Sequence, residues 1–395
     1  FFIAGLASRI HNTFDLEKQG MIDPRQFVEY LQSNGVGFYT GVPDSLLKEF
    51  CACLEEVPPA GQHIISANEG GAVALALGYH LATRNIPLVY LQNSGLGNII
   101  NPLLSLADAE VYSVPLLLVI GWRGETGVHD EPQHKKQGRV MLSMLEAMEI
   151  PYRVLGPEVN DAEDVLREAM ASARKNNAPF ALVIKKGTFS GFTGHKREGA
   201  AFELTREAAI QHVLESLDER DVVVSTTGMA SREVYEYRIK KGEGHARDFL
   251  TVGGMGHASQ IGLGVALHQP DRSVYCLDGD GALLMHMGAL AITGVLNPGN
   301  FKHIVLNNGA HDSVGGQPTA GFEMDILAIA RACSYRMVVQ AQTPQELQSG
   351  LQELKRSKGP GLLEVRIRCG ARKDLGRPVT TPVENKRAFM DFIQG

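Results

Sequence analysis

The 395-residue chain lacks any apolar run of membrane-spanning length, which leaves no candidate transmembrane helix. It has no excess of basic charge either. The formal net charge is −6, so nothing in the balance points to nucleic acid as a partner. Cysteines are few and odd in number: Cys51, Cys53, Cys276, Cys333 and Cys369. None shows the paired spacing of a zinc site or a disulfide framework, and all five read as reduced thiols in a reducing, cytoplasmic compartment. There is no visible sequence repeat. What is present is ordinary for a globular protein, with 44% hydrophobic and 21% charged residues and enough length for two domains.

The pattern along the chain is alternation of short apolar runs with helix-like periods. The first 21 residues stand apart; within them Phe1 to Phe14 contains Arg9 and His11 and no acid. A terminal extension is expected there, with a mitochondrial targeting remnant as the alternative. A first domain is expected over 22–184. Asp23-Pro24 marks a helix start, cap followed by first-turn proline. Strands are expected at Val36 to Thr40, His63 to Ser66, Leu88 to Leu91, Pro115 to Ile120, Tyr152 to Leu155 and Phe180 to Ile184. A Gly-, Lys- and Thr-rich linker is expected over 185–202, and a second domain over 203–395. Its strands are expected at Val222 to Ser225, Phe249 to Val252, Val274 to Leu277, His303 to Leu306, Arg336 to Val339 and Leu362 to Ile367. Alternating strands and helices predict α/β architecture, two doubly wound parallel sheets.

The chemistry is concentrated between Leu277 and Gln317. An apolar run ends in Asp278-Gly279-Asp280-Gly281, one helix is expected to Leu296, and a second apolar run ends in Asn307-Asn308. In a parallel sheet both turns lie at the carboxyl ends of their strands, where such sheets bind ligands. Asp280 and Asn308, about 28 residues apart, can therefore meet. A carboxylate and an amide oxygen are hard ligands suited to Mg²⁺. The glycines admit a diphosphate to the backbone, and the helix amino terminus favours its charge. Gly262 and Gly264 lack the third glycine of a dinucleotide fingerprint, so NAD is discounted.

Gly-Asp-Gly, a helix and strand, then Asn-Asn resembles the motif of thiamine-diphosphate enzymes. The resemblance implies a pyrimidine-binding domain followed by a diphosphate-binding domain; the short gap leaves no room for a middle domain. It implies that Asp280, Asn308 and the main-chain carbonyl of Ala310 hold Mg²⁺. It implies that Gly228, Met255, Gly279, Gly281 and Ala282 meet thiamine diphosphate, Met255 propping it about 25 positions before Asp280. Glu69, in Ser66-Ala67-Asn68-Glu69-Gly70-Gly71-Ala72, matches the activating glutamate. That role needs a carboxylate bonded to N1′ of the cofactor, to stabilise the imino tautomer that removes the C2 proton. The bland alternative is an exposed first-turn acid. A homo-oligomer with active sites between subunits is also implied.

Further segments narrow the resemblance. Gly41-Val42-Pro43-Asp44-Ser45, Asn93 to Asn98, Asp130 to His134, Thr227 to Arg232, Asn308 to Ser313 and Asp374 to Pro378 are similar to the phosphonopyruvate decarboxylase family, with sulfopyruvate decarboxylases close by. The expected substrate is then a small 2-oxo acid bearing a phosphonate. Asp44, His134 and His311 are candidates for proton transfer, although Asp44 could equally cap a helix. Ser45, Asn93, His134, His311 and Ser313 are candidates for substrate contact. A loop expected from Arg123 to Arg139 offers cations, and the loop after Asn308 offers a glycine nest for an anion. Two other readings are a carboligase of the acetolactate synthase kind, which usually has a flavin-binding middle domain, and a cofactor-binding regulatory subunit, which would have no need of Glu69.

Overall fold

The computed structural model describes residues 17–18, 20–157, 161–194 and 201–395. Most of the expected amino-terminal extension, and residues 195–200 of the expected linker, lie outside the described residues. Contacts divide the described chain into two compact units. The first takes the residues up to Ile64, Ala72–His129 and Gln137 to 194; the second takes Ile65–Gly71, Asp130–Lys136 and 201 onward.

One six-stranded sheet contains β1 (Val36–Gly41), β2 (His63–Ile65), β3 (Ile86–Gln92), β4 (Leu116–Gly121), β5 (Tyr152–Leu155) and β6 (Pro179–Ile184). Its order is β2-β1-β3-β4-β6-β5, and the β1–β3, β3–β4, β4–β6 and β5–β6 pairs are parallel. The other contains β7 (Val222–Ser225), β8 (Asp248–Leu250), β9 (Val274–Gly279), β10 (Phe301–Asn307), β11 (Met337–Ala341) and β12 (Gly361–Arg366). Its order is β8-β7-β9-β10-β12-β11, parallel throughout. The α/β expectation and the shared architecture of the two halves therefore hold.

Both sheets are covered on both faces, as parallel sheets require. Along β4, Leu117 and Val119 enter one core while Leu116, Leu118 and Ile120 enter another. Along β9, Tyr275 and Leu277 face one cluster and Val274 and Cys276 the opposite one. The alternation is invisible in the sequence because both sets of residues are apolar. Asp23 caps the first helix as expected, accepting from the backbone N–H of Arg25 at 2.9 Å and Gln26 at 3.4 Å. Within the segment read as a linker, Thr188 and Ser190 hydrogen-bond to Ile22.

Two expectations fail locally, and one element is unforeseen. The single helix after Asp280 is two, Asp280–Met285 and Gly288–Leu296. At the break, His286 leaves helical dihedrals and its ring lies against Gly256, where a Cβ would come within 2.7 Å. The supposed loop reaching Arg139 ends early, because a helix runs over Pro132–Ala147. Its buried stripe is His134, Gly138, Met141 and Leu145; with His and Gly in two of the four places, no apolar period shows. A carboxyl-terminal helix, Pro382–Gln394, was not expected at all. It starts with a capping box between Thr381 and Glu384 and covers the open edge strand β8. Asn385 Nδ2 donates to Asp248 O at 2.8 Å, and Asn385 Oδ1 accepts from Leu250 N at 3.0 Å, which closes an edge that would otherwise template pairing.

Candidate active site

In the second sheet the strand order reverses between β7 and β9, the place where open α/β sheets bind ligands. A cleft of about 620 Å³ opens there. Thr226, Thr227, Met229 and Ala230 after β7 line it, with Asp278, Gly279, Asp280, Gly281 and Ala282 at the end of β9. Asn308, Ala310, His311, Asp312 and Ser313 after β10 complete that wall, and Met255 and Arg206 also line it. Gly228 sits between the lining threonine and Met229 at φ 95°, a conformation that glycine adopts without strain.

Asp280 opens its helix and is almost wholly buried. Burial pushes its carboxyl up to about 6, against hydrogen bonds from the Thr319 hydroxyl and from the backbone at Asp280, Asn308 and Gly281. The approach of 319–321 is close: a Cβ on Gly321 would lie 2.5 Å from Asp280 Oδ2. Asn308 is oriented from both ends of its amide. Its Oδ1 accepts from Ala310 N at 3.1 Å, and its Nδ2 donates to Asp312 Oδ2 at 2.8 Å. Asp312 is itself held by Arg206 at 3.0 Å and by Gly370 N at 2.9 Å. Arg206 completes the chain with a two-pronged pair to buried Glu233, at 2.9 and 3.1 Å. Beneath the turn, Asp278 accepts from Gly279 N at 3.0 Å and pairs with His303 at 3.3 Å.

His311 lies in a small hairpin, Ala310–His311 with Gln317–Pro318. Burial lowers its imidazole to about 4, so it is neutral near pH 7. A Cβ on Gly281 would meet its ring at 2.9 Å, and the glycine is needed for the two loops to pass.

A second group of expected residues gathers at the carboxyl edge of the first sheet. Asp44, fully buried, accepts from Gln92 Nε2 at 2.6 Å. It does not cap the helix that follows, Lys48–Leu54, whose cap position is Leu47. Asn93 holds the backbone of Arg123 through two hydrogen bonds, at 2.7 and 3.2 Å, and Arg123 Nη1 donates to Ser45 at 2.8 Å.

Glu69 and His134 are outside both groups. Glu69 is the first residue of the helix Glu69–Thr83 and is buried, not an exposed first-turn acid. Asn68 caps that helix by accepting from Gly71 N at 2.8 Å. Glu69 is close enough to His286 to favour its imidazolium, although burial and His257 hold that ring below its ordinary value. His134, buried in its helix, has Nδ1 2.9 Å from Asp130 Oδ1, a contact that fixes which ring nitrogen faces elsewhere.

The cleft therefore unites Asp280, Asn308, Ala310, His311, Ser313, Met255, Gly279, Gly281 and Ala282, with Gly228 adjoining. Sequence reasoning missed Asp312, Arg206 and Thr319. Asp312 is four residues beyond Asn308 in a motif already singled out, and could have been found; Arg206 and Thr319 have no local signal. Gln92 and Arg123 were likewise not assigned to the first-sheet network.

The donor set fits a divalent cation with a diphosphate. A buried carboxylate has no cationic side chain acting on it among the described residues, an amide oxygen faces the same turn, and glycines leave the backbone open. Comparisons with known proteins agree. Residues 24–146 match the model of the thiamine pyrophosphate enzyme amino-terminal binding domain, and residues 226–365 that of the carboxyl-terminal binding domain. A phosphonopyruvate decarboxylase of Streptomyces viridochromogenes is 35% identical, with 94% of this chain and 95% of that one aligned. One of Streptomyces hygroscopicus is also 35% identical, with 94% of each aligned. A sulfopyruvate decarboxylase of Methanosarcina acetivorans is 25% identical over 94% of this chain and 98% of that one. This chain belongs to the thiamine pyrophosphate enzymes, in the family that includes the phosphonopyruvate decarboxylases.

Proposed function

We propose that the protein decarboxylates 3-phosphonopyruvate to phosphonoacetaldehyde and CO₂, with thiamine diphosphate and Mg²⁺, within phosphonate (2-aminoethylphosphonate) biosynthesis. The observation that supports this most is the meeting of Asp280 and Asn308 at one cleft in a chain aligned nearly end to end with decarboxylases of that name. Asp280, Asn308 and the Ala310 carbonyl would hold Mg²⁺, with Asp312 and Thr319 orienting the two side chains. Gly228, Gly279, Gly281 and Ala282 leave room for the cofactor, and Met255 supports it from the opposite wall. Bound there, thiamine diphosphate supplies the electron sink that loss of CO₂ from a 2-oxo acid requires.

The chain's own residues must then move protons and hold charge. Glu69, buried at the start of its helix, would hold a proton at the cofactor's N1′. His134, steadied by Asp130, and the neutral His311 are the candidates to give or take a proton at the substrate, with Asp44 as the third. Ser45, Asn93 and Ser313 are the uncharged candidates for substrate contact. The apolar helix Gly288–Leu296 exposes Ile292, Val295 and Leu296, which supports a homo-oligomer. Five free thiols support a reducing compartment, and we place the enzyme in the cytoplasm.

The test is CO₂ release from phosphonopyruvate, sulfopyruvate and pyruvate, with and without Mg²⁺ and thiamine diphosphate. Phosphonopyruvate should be the best substrate and both additions should be required. Faster turnover of sulfopyruvate would favour the second reading, for which the Methanosarcina relative is the support.

A further inference from the structure

A phosphonate carries close to two negative charges near pH 7 and needs a lasting cation. His311 is neutral there, and the cleft's Arg206 is already committed to Glu233 and Asp312. Two pieces of the motifs remain without a role: Arg232, at the end of Thr227 to Arg232, and the segment Asp374 to Pro378.

The structure brings them together. Arg232 lies in the first turn of the helix Met229–Lys241, one turn along from Met229 in the cleft wall. Glu236, four residues further on the same face, binds the backbone N–H of Gly376 and the guanidinium of Arg372. The segment 372–377 is thereby laid along that face, with Arg377 beside Arg232. The neighbouring arginines have their carboxylates: Arg372 pairs with Glu207, Glu236 and Asp374, and Arg377 with Glu131. Arg232 makes no hydrogen bond or ion pair among the described residues. It is partly buried, and burial together with Arg377 holds it below its ordinary value, against the nearby Glu131 carboxylate. Glu131 is thus one carboxylate for two guanidiniums, bonded to Arg377 and only near Arg232, and the excess positive charge on a half-buried group is costly until a further anion offsets it.

We propose that Arg232, with Arg377 beside it, receives the substrate's phosphonate group and sets the preference for a doubly charged tail. This rests on the decarboxylase reading above. A planar guanidinium can grip two phosphonate oxygens at once, and the site lies off the metal turn, so the 2-oxo acid end is left to the cofactor.

The experiment compares wild type, Arg232→Ala, Arg232→Lys and Arg377→Gln as holoenzymes. The KM for phosphonopyruvate and the Ki of methylphosphonate as a competitive inhibitor are measured, together with thiamine diphosphate affinity. For Arg232→Ala, KM and Ki should both rise roughly 10- to 100-fold, the usual worth of a charged hydrogen bond. Its kcat should change much less, and cofactor affinity should stay at the wild-type value. Arg232→Lys should fall between, since it keeps the charge and loses the fork; Arg377→Gln should raise KM by a smaller factor. An unchanged KM and Ki in Arg232→Ala would overturn the proposal, as would a loss confined to kcat. If Arg232→Ala does not fold, the lysine and Arg377 variants decide by the same two constants. Absence of phosphonopyruvate turnover by the wild type would remove the decarboxylase reading itself, and is seen before any variant is made.

Discussion

The two sheets share one strand order, counted from β1 or from β7, and end at their switch points in different chemistry. At the first, side chains satisfy one another: Asp44 with Gln92, Asn93 with the Arg123 backbone, Arg123 with Ser45. At the second, an acid, an amide and a row of glycines face an open cleft. The scaffold supplies a place for ligand at both edges, and the loops decide what is held there.

The largest test of that contrast removes a proposed metal ligand. Asp280→Ala or Asn308→Ala should abolish thiamine diphosphate retention and, with it, turnover. Asp44→Ala, the buried acid of the other edge, should leave cofactor affinity intact and act on turnover or stability alone. Equal loss of cofactor in all three, measured by equilibrium titration, would erase the distinction. Next in size is Glu69→Gln. Turnover should fall by roughly 10²–10⁴ while cofactor affinity stays near wild type, and C2–H exchange of the bound cofactor should slow in step. Exchange at the wild-type rate would leave Glu69 a helix-start acid.

A smaller effect should follow from Asp312→Ala. The residue would act on the proposed cation only through Asn308, so Mg²⁺ affinity should drop about 10- to 100-fold, the usual cost of losing such a support. Activity at saturating Mg²⁺ should largely recover; a variant that saturating Mg²⁺ cannot rescue would place Asp312 elsewhere in the chemistry.

The smallest effect concerns acid. Burial holds His63 of the first sheet at about 4, below its ordinary value. The unfolded chain takes the proton first, so this group's stabilisation is lost as pH falls from about 6.5 to about 4. Asp280 has the opposite sign: raised to about 6, it favours the folded apo-protein as pH falls towards its ordinary range. His63→Gln should therefore flatten the acid side of the apo-protein's Tm profile. An unaltered slope between pH 7 and 5 would remove His63 from the account.

Much of this was legible in the residues. The strands of both sheets appear as apolar runs, and the Asp280–Asn308 pairing follows from parallel topology alone. The helix over Pro132–Ala147 was hidden because His134 and Gly138 occupy its buried stripe. The break at His286 was hidden because the residue its ring packs against, Gly256, is about 30 residues away. Thr319 and Arg206 belong to the site only through contacts made across the fold, which no local spacing encodes.

Those contacts decide how portable the site is. Asp312 gathers Asn308 from the strand end, Arg206 from ahead of the second sheet's first strand and the backbone of Gly370 from beyond its last. The motif from Gly279 to Asn308 is thus one side of a clasp fastened from both ends of the second sheet's run of chain. Spliced alone into another sheet of the same topology, it would present the right ligands with Asn308 free to turn. A working graft would need residues 206, 312 and 370 brought along, so recombination between relatives should succeed when it exchanges this unit whole and fail when it cuts inside it.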